Sequence, residues 1–363
     1  MSSNFAYRYL KIAPEHDSTD TGNEAAVTYG IASASFPATY GEIDDESIQY
    51  MFDLMTRADV SRYGAAKSVN GKEYSEGGIN FVMQPDDLLG LCFFGIYGDN
   101  PAGDSTGYTV GGGTFTHAFK EVKDQILPSF TLEVGREEKE HTYKGMCVQS
   151  LSVNASHGEY ATIGVTFTGK SESTTSGLVA SPTYVGASVY GFHFANGTVS
   201  FSEAGSTFNS ANNIQSVSLE YNMNLDTDAA CSIGNRTYIR KPEPQMREIT
   251  GTVEFSNANT TNGTADIPDY DMMTPTGGKL YDGISAKPAI QLEFTNGTQT
   301  LTLKIRKVRW EAPTANISGR DTQTLSMNFV ALVDTADDVM SETSVVLNAA
   351  VSGLSAGEKY SKK

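Results

Sequence analysis

The sequence predicts a mainly β protein made of two tandem copies of one module, each with a single α-helix. Three observations lead there. The 363 residues include 35 glycines and are 39% hydrophobic, with Ser, Thr and Asn abundant and no dominance of the Ala, Leu, Glu and Lys mixture that builds helical proteins. Several segments alternate apolar and polar residues with period two, such as Val217, Leu219, Tyr221, Met223 and Leu225. A phrase also returns: ILPSFTLEVG at 126–135 is echoed by AIQLEFTNG at 289–297. Leu132-Glu133 and Leu292-Glu293 lie 160 positions apart, an offset that carries Thr142 onto Thr302, Lys144 onto Lys304 and Val148 onto Val308 without a gap.

Within each copy the elements follow in one order. SIQYMFDLMT (47–56) is ambiguous by itself: Ile48, Met51, Phe52 and Met55 fit a helix, and Ile48, Tyr50, Phe52 and Leu54 a strand. Only equivalence with SVSLEYNMNL (216–225) favours the strand. SEGGINFVMQ (75–84) matches REITGTVEFS (247–256), Gly78 falling on Gly251. A helix start follows in the first copy, because Pro85 is tolerated in a first turn and Asp86 and Asp87 complement the positive end of the helix dipole. ADIPDYDMM (265–273) is its counterpart.

Residues 99–125 are longer than the matching stretch near 274–288. Their YTVGGGTF (108–115) lacks a GK[ST] ending and a following helix signal, so it predicts a surface loop or protruding hairpin and not a phosphate cradle. After the shared phrase, 148–169 and 308–332 each read as strand, polar turn and strand, with Ile163, Val165 and Phe167 answering Leu325, Met327 and Phe329 at an offset of 162. The boundaries expected are a first domain at 1–172, a polar linker at 173–183, a second domain at 184–335 and a C-terminal extension at 336–363.

The residues exclude more chemistry than they suggest. A formal net charge of -17, from 43 acidic and 26 basic residues, disfavours capture of polyanions. His16, His117, His141, His157 and His193 form no HxxxH and adjoin no Cys, and no serine lies in G-x-S-x-G. His141 and His157 are expected to be solvated loop residues. IDDES (43–47), PDD (85–87) and DIPDYD (266–271) lack a calcium-loop pattern and suit helix starts and turns. No catalytic residue, metal or cofactor is expected. Cys92, Cys147 and Cys231 have no CxxC spacing, and Cys92, within LLGLCFFGIYG, reads as a buried free thiol in a reducing compartment. No signal-peptide pattern opens the chain and the apolar run at 88–98 is too short to cross a bilayer, so no membrane association is expected.

LPSFTLE (127–133), followed by TYKGMCVQSLSV (142–153) and preceded by ATYGEIDDES (38–47) and SEGGINFVMQPDD (75–87), resembles the tail tube proteins of long-tailed bacteriophages. The likeness spans most of 38–170 and, more loosely, the second copy. It implies two packed sheets per copy, a β-sandwich or barrel with one flanking helix, in subunits whose inner strands join their neighbours' around a hollow axis. Family members stack such rings into a tube that DNA crosses without specific binding. The resemblance marks Leu127, Pro128, Ser129, Phe130, Thr131, Leu132 and Glu133 as the signature strand. The partners it implies are further copies of the chain and other tail proteins such as tape measure and terminator. It also implies location in the virion tail after synthesis and assembly in the host cytoplasm.

Two modules per chain suggest a trimeric ring with pseudo-sixfold symmetry. A hexamer whose second copy decorates the outside is the alternative. The excess acid suits a wall that DNA slides past. Gly107, Tyr108, Thr109, Val110, Gly111, Gly112 and Gly113 form the candidate contact loop between successive rings. The competing reading is a virion-displayed β-sandwich adhesin or carbohydrate-binding protein. Against it, most aromatics sit at alternating strand positions, and Trp310, the only tryptophan, reads as a core or subunit-contact residue.

Overall fold

The computed structural model describes residues 8–15, 29–30, 36, 39–57, 61, 63–64, 67–98, 109–111, 114–121, 127–136, 138–179, 181–184, 189–202, 207–211, 213–256, 288–297, 299–311, 314–316, 324–334 and 340–347. In the first half β1 (Tyr9–Pro14), β2 (Asp45–Glu46), β3 (Gln49–Arg57) and β4 (Lys67–Val82) precede α1 (Asp87–Tyr97). After it come β5 (Thr109–Gly111), β6 (Thr114–Lys120), β7 (Phe130–Arg136), β8 (Lys139–Ser156), β9 (Thr162–Gly169) and β10 (Ser171–Ser176). The second half opens with β11 (Gly197–Ser202), β12 (Asn209–Ala211), β13 (Ile214–Asn222), β14 (Leu225–Asp226), β15 (Glu243–Pro244) and β16 (Glu248–Phe255). It continues with β17 (Ala289–Asn296), β18 (Gln299–Ile305), β19 (Val308–Trp310), β20 (Thr314–Asn316), β21 (Thr324–Ala331) and β22 (Ser341–Leu347).

The protein is therefore mainly β, and its sheets are antiparallel and open, with no closed barrel among the described residues. The larger sheet runs β19-β21-β16-β13-β8-β9-β4-β2, with β3 continuing along β4 and β20 along β21. The first part of β8 leaves this row to pair with β7 and β10, and β1 lies beyond β7. A second sheet runs β12-β11-β17-β18-β22-β6-β5. Residues 171–176, partly within the expected linker, and 341–347, within the expected extension, are thus paired strands.

The helix forms where the sequence places it. Asp86 is its N-cap and accepts a hydrogen bond from the Leu89 amide at 2.9 Å. Burial pushes the Asp86 carboxyl up to about 7, against the pull of the Leu89 and Gln84 donors. Gly98, with φ 66, ends the helix and returns its N–H to the Phe94 carbonyl, a conformation that favours glycine. Leu88 to Tyr97 are all buried, as a helix apolar on every side requires. The expected second helix, ADIPDYDMM, lies outside the described residues.

One continuous apolar core runs from Leu10 to Val345 and draws on both halves. Tyr97 joins them: its ring stacks on Phe119 with centroids 6.1 Å apart, its hydroxyl donates to Ser341 Oγ at 2.9 Å, and Thr343 Oγ1 donates to it at 2.9 Å. Trp310 is buried against Phe201 and Phe329. With Phe167 matched to Phe329, the glycine that matches Gly251 is Gly77 and not Gly78. Gly77 lies opposite Phe167 and against Ile48, as Gly251 lies opposite Phe329 and Leu219. Strand parity explains the correction, since a one-residue slip turns every side chain to the other face.

Candidate assembly surface

The signature strand is a buried anchor. Leu127, Pro128, Ser129, Phe130, Thr131 and Leu132 are all buried and Glu133 half-buried. Ser129 Oγ donates to Glu15 Oε2 at 2.7 Å and Thr131 Oγ1 to Glu15 Oε1 at 3.1 Å. The same carboxylate accepts the amides of Gly145 at 2.7 Å and Gly30 at 3.1 Å. Burial raises the Glu15 carboxyl above its ordinary value, and the four donors pull it back. Lys241 Nζ donates to the Leu127 carbonyl, tying the second half to the signature. Glu133 is pushed up to about 7 by burial first and the Glu140 charge second, with Lys11 opposing. Nothing in the run APEH singled out Glu15; its role rests on contacts more than 100 residues away in sequence.

The larger sheet has two unlike faces. Toward the core, β13 places Val217, Leu219 and Tyr221 beside Leu151 and Val153 of β8 and Ile163, Val165 and Phe167 of β9. The opposite face is short and polar. It carries Ser150, Ser152 and Asn154 on β8, Ser218 and Glu220 on β13, Thr250, Thr252 and Glu254 on β16, and Ser326 and Asn328 on β21. These side chains bond across strands: Ser150 with Thr166 at 2.6 Å, Ser216 to Glu254 at 2.8 Å, Thr252 to Asn328 at 2.9 Å and Asn328 to Glu311 at 3.2 Å. Among the described residues, Glu220, Glu248, Glu254 and Glu311 are exposed there, against one exposed cation, Arg309.

The row ends differently from its middle. At the centre, residues 216–222 of β13 pair with 150–156 of β8, and Tyr221 and Met223 are at most 1% exposed. At one end β3 stands off the sheet with β4 as a hairpin. SIQYMFDLMT is thus a strand, although Tyr50 is 38% and Phe52 51% exposed. Its apolar side chains occupy both faces, which is why no single period emerges from that stretch. Just before β3 the edge is capped from within: Arg136 and Tyr143 donate to the Ile48 carbonyl, and the Ile48 amide donates to Glu46 Oε2 at 3.2 Å. At the other end lie β19 and β20, each paired only with β21 among the described residues.

Of the candidate contact loop, Thr109, Val110 and Gly111 form β5 at the margin of the second sheet, while Gly107, Tyr108, Gly112 and Gly113 lie outside the described residues. His141, expected in a loop, lies instead within β8 and bonds to Glu172; His157 occupies the following turn against Phe194. The groove between 41–46 and 134–141 carries Glu42, Asp44 and Glu46, with Arg136 already engaged by Glu46. Among the described residues no group of three His, Cys, Asp or Glu could hold a metal ion, and no helix is long and apolar enough to cross a membrane. The three cysteines are free, Cys92 and Cys147 buried.

A sheet with one packed face, one polar face and an exposed apolar hairpin at its edge is suited to contact with another molecule along that edge. A family model for phage tail tube protein matches residues 21–331, and the chain belongs to that family. It is a structural component of the virion tail. No curated protein matches the chain.

Proposed function

We propose that the chain consists of two tube modules and that copies of it join edge to edge into rings, which stack into a hollow conduit for genomic DNA. Strand order supports the two modules. The second half contributes β19-β21-β16-β13 to the large sheet, and the first half contributes β8-β9-β4 followed by β2 and β3. The last strand of one set and the first of the other, β8 and β13, make the joint within the chain. Their counterparts, β19 with β20 and β3, are the two ends of the row.

The single observation that carries the reading concerns equivalent side chains. With Ile48 matched to Leu219, Tyr50 and Phe52 correspond to Tyr221 and Met223. The second pair is buried because the first half covers it; the first pair is bare, at 38% and 51% exposure. A neighbouring copy whose β19 and β20 lie along β3 covers them in the same manner, and burying a large apolar side chain contributes about 1.5–3 kcal/mol. The contact is head to tail and closes only as a ring.

Ring size follows from strand spacing. Eight strands per chain at about 4.8 Å give a wall about 24 Å across for two chains, about 37 Å for three and about 73 Å for six, before strand tilt. Side chains leave the two-chain wall too narrow for a DNA duplex. The three-chain wall fits, and because the second half lies in the same row as the first, the trimer is favoured over a hexamer with external second domains. The polar face then lines the lumen, where carboxylates and hydroxyls outnumber Arg309, the one exposed cation among its described residues, and offer phosphates little to bind. Residues 107–113 and the β3–β4 hairpin are the candidate contacts between stacked rings, and tape measure and terminator proteins the expected partners of the finished tube.

Electron microscopy of the concentrated protein is the test. Hollow filaments are expected from the natural chain, and dispersed subunits from Phe52→Glu. Discrete monomers at high concentration, or normal tubes from Phe52→Glu, would overturn the reading. Deletion of 102–115 is expected to leave folded subunits without long tubes.

A further inference from the structure

The second sheet shows a strand exchange between the halves that the first half's own sheet leaves incomplete. In the first half the order is β1-β7-β8-β10; in the second it is β11-β17-β18-β22, so that β11, β17, β18 and β22 stand where β1, β7, β8 and β10 stand. The outer edge of β22 is taken. Residues 115–120 of β6 pair with 342–347 of β22 over six positions, and β5 lies beyond. Yet β6 belongs to the first half, between α1 and β7. The first half thus completes the second by adding a strand to its margin.

The counterpart of β22 is β10, six residues long. On one side it pairs with 139–144 of β8; on the other no strand pairs with it among the described residues, and Ser173, Thr174 and Thr175 are exposed. Solitary edges normally carry a proline, a lysine or a bulge that prevents pairing. SESTTS carries none of these, and its one charge, Glu172, is engaged by His141. Among the described residues the edge is regular and no strand covers it.

We propose that the β10 edge is a docking site for a strand from another copy of this chain, supplied by that copy's second half as β6 is supplied by the first. This rests on the ring reading above and extends it. Besides the joint of the larger sheet, each subunit boundary carries a second clasp, made by main-chain hydrogen bonds in the other layer. Two clasps on different layers resist hinging that a single seam permits.

Hydrogen exchange read by mass spectrometry on the natural chain, dispersed and assembled into tubes, tests it. Amides of 171–176 are expected to exchange quickly when dispersed and at least about tenfold more slowly in tubes. Amides of 342–347 are expected to be protected in both states. If 171–176 exchange equally fast in tubes while 49–57 slow down, the β10 inference falls and the ring reading stands. A chain that does not assemble under any condition removes both.

Discussion

Replacing Glu15 by Ala tests whether the signature strand is held from beneath. Glu15 is 3% exposed and its carboxylate receives two main-chain amides and two hydroxyls. Without it Ser129 and Thr131 can turn toward other acceptors. The amides of Gly145 and Gly30 cannot turn, and each buried donor left unmatched costs about 1–3 kcal/mol. Relief of the carboxylate's own desolvation offsets part of this, so the net loss is expected at about 2–5 kcal/mol. Glu15→Gln retains one oxygen but turns its amide toward donors on the other side, and is expected to lose roughly half as much. Urea unfolding of the dispersed subunit, followed by Trp310 fluorescence, gives both values. A loss below about 0.5 kcal/mol for Ala, or equal losses for Ala and Gln, would refute the account.

Three further outcomes are expected. Arg247 pairs with Glu121 at 3.2 Å, both side chains being nearly buried, so Arg247→Ala should destabilise by about 3–5 kcal/mol and the double variant Arg247→Met, Glu121→Gln should recover most of it in the same unfolding assay. Glu133 is raised from 4.5 to about 7, so its contribution is complete below pH 4.5 and is lost as pH rises toward 7. Asp86 titrates in the same window, so the readout is the difference between the natural chain and Glu133→Gln, whose unfolding midpoint should depend less on pH. Tubes carrying Glu220→Lys and Glu254→Lys should retain duplex DNA with a salt slope of about -0.9 per phosphate engaged, while natural tubes do not; equal retention by both removes the lumenal assignment of this face.

How far the sequence was legible depended on whether a feature was local. The helix start at Pro85, Asp86 and Asp87 needed only neighbouring residues, and Asp86 caps as expected. Alternation at Val217, Leu219 and Tyr221 marked a strand with one face buried, because one packed face imposes period two. β3 was different: its apolar side chains lie on both faces, and only the proposed equivalence with 216–225 favoured strand over helix. Exchange of β6 onto β22 left no trace in composition, since antiparallel strands accept many partners and register is set by faces more than by identities. The face bearing Ser150, Thr252 and Asn328 was equally hidden. Hydroxyl and amide residues at alternate positions look like any solvated side until the strands are placed side by side.

Because β8 and β13 meet when the polypeptide folds, part of the proposed ring's circumference would already be sewn before any two molecules collide. Such a covalent tether replaces a diffusional encounter with a local one, at an effective concentration on the order of millimolar for short connections. On the two-module reading, fusion would also free the halves from being identical, so that a hairpin can stay long in one and be reduced to the brief β14–β15 pair in the other.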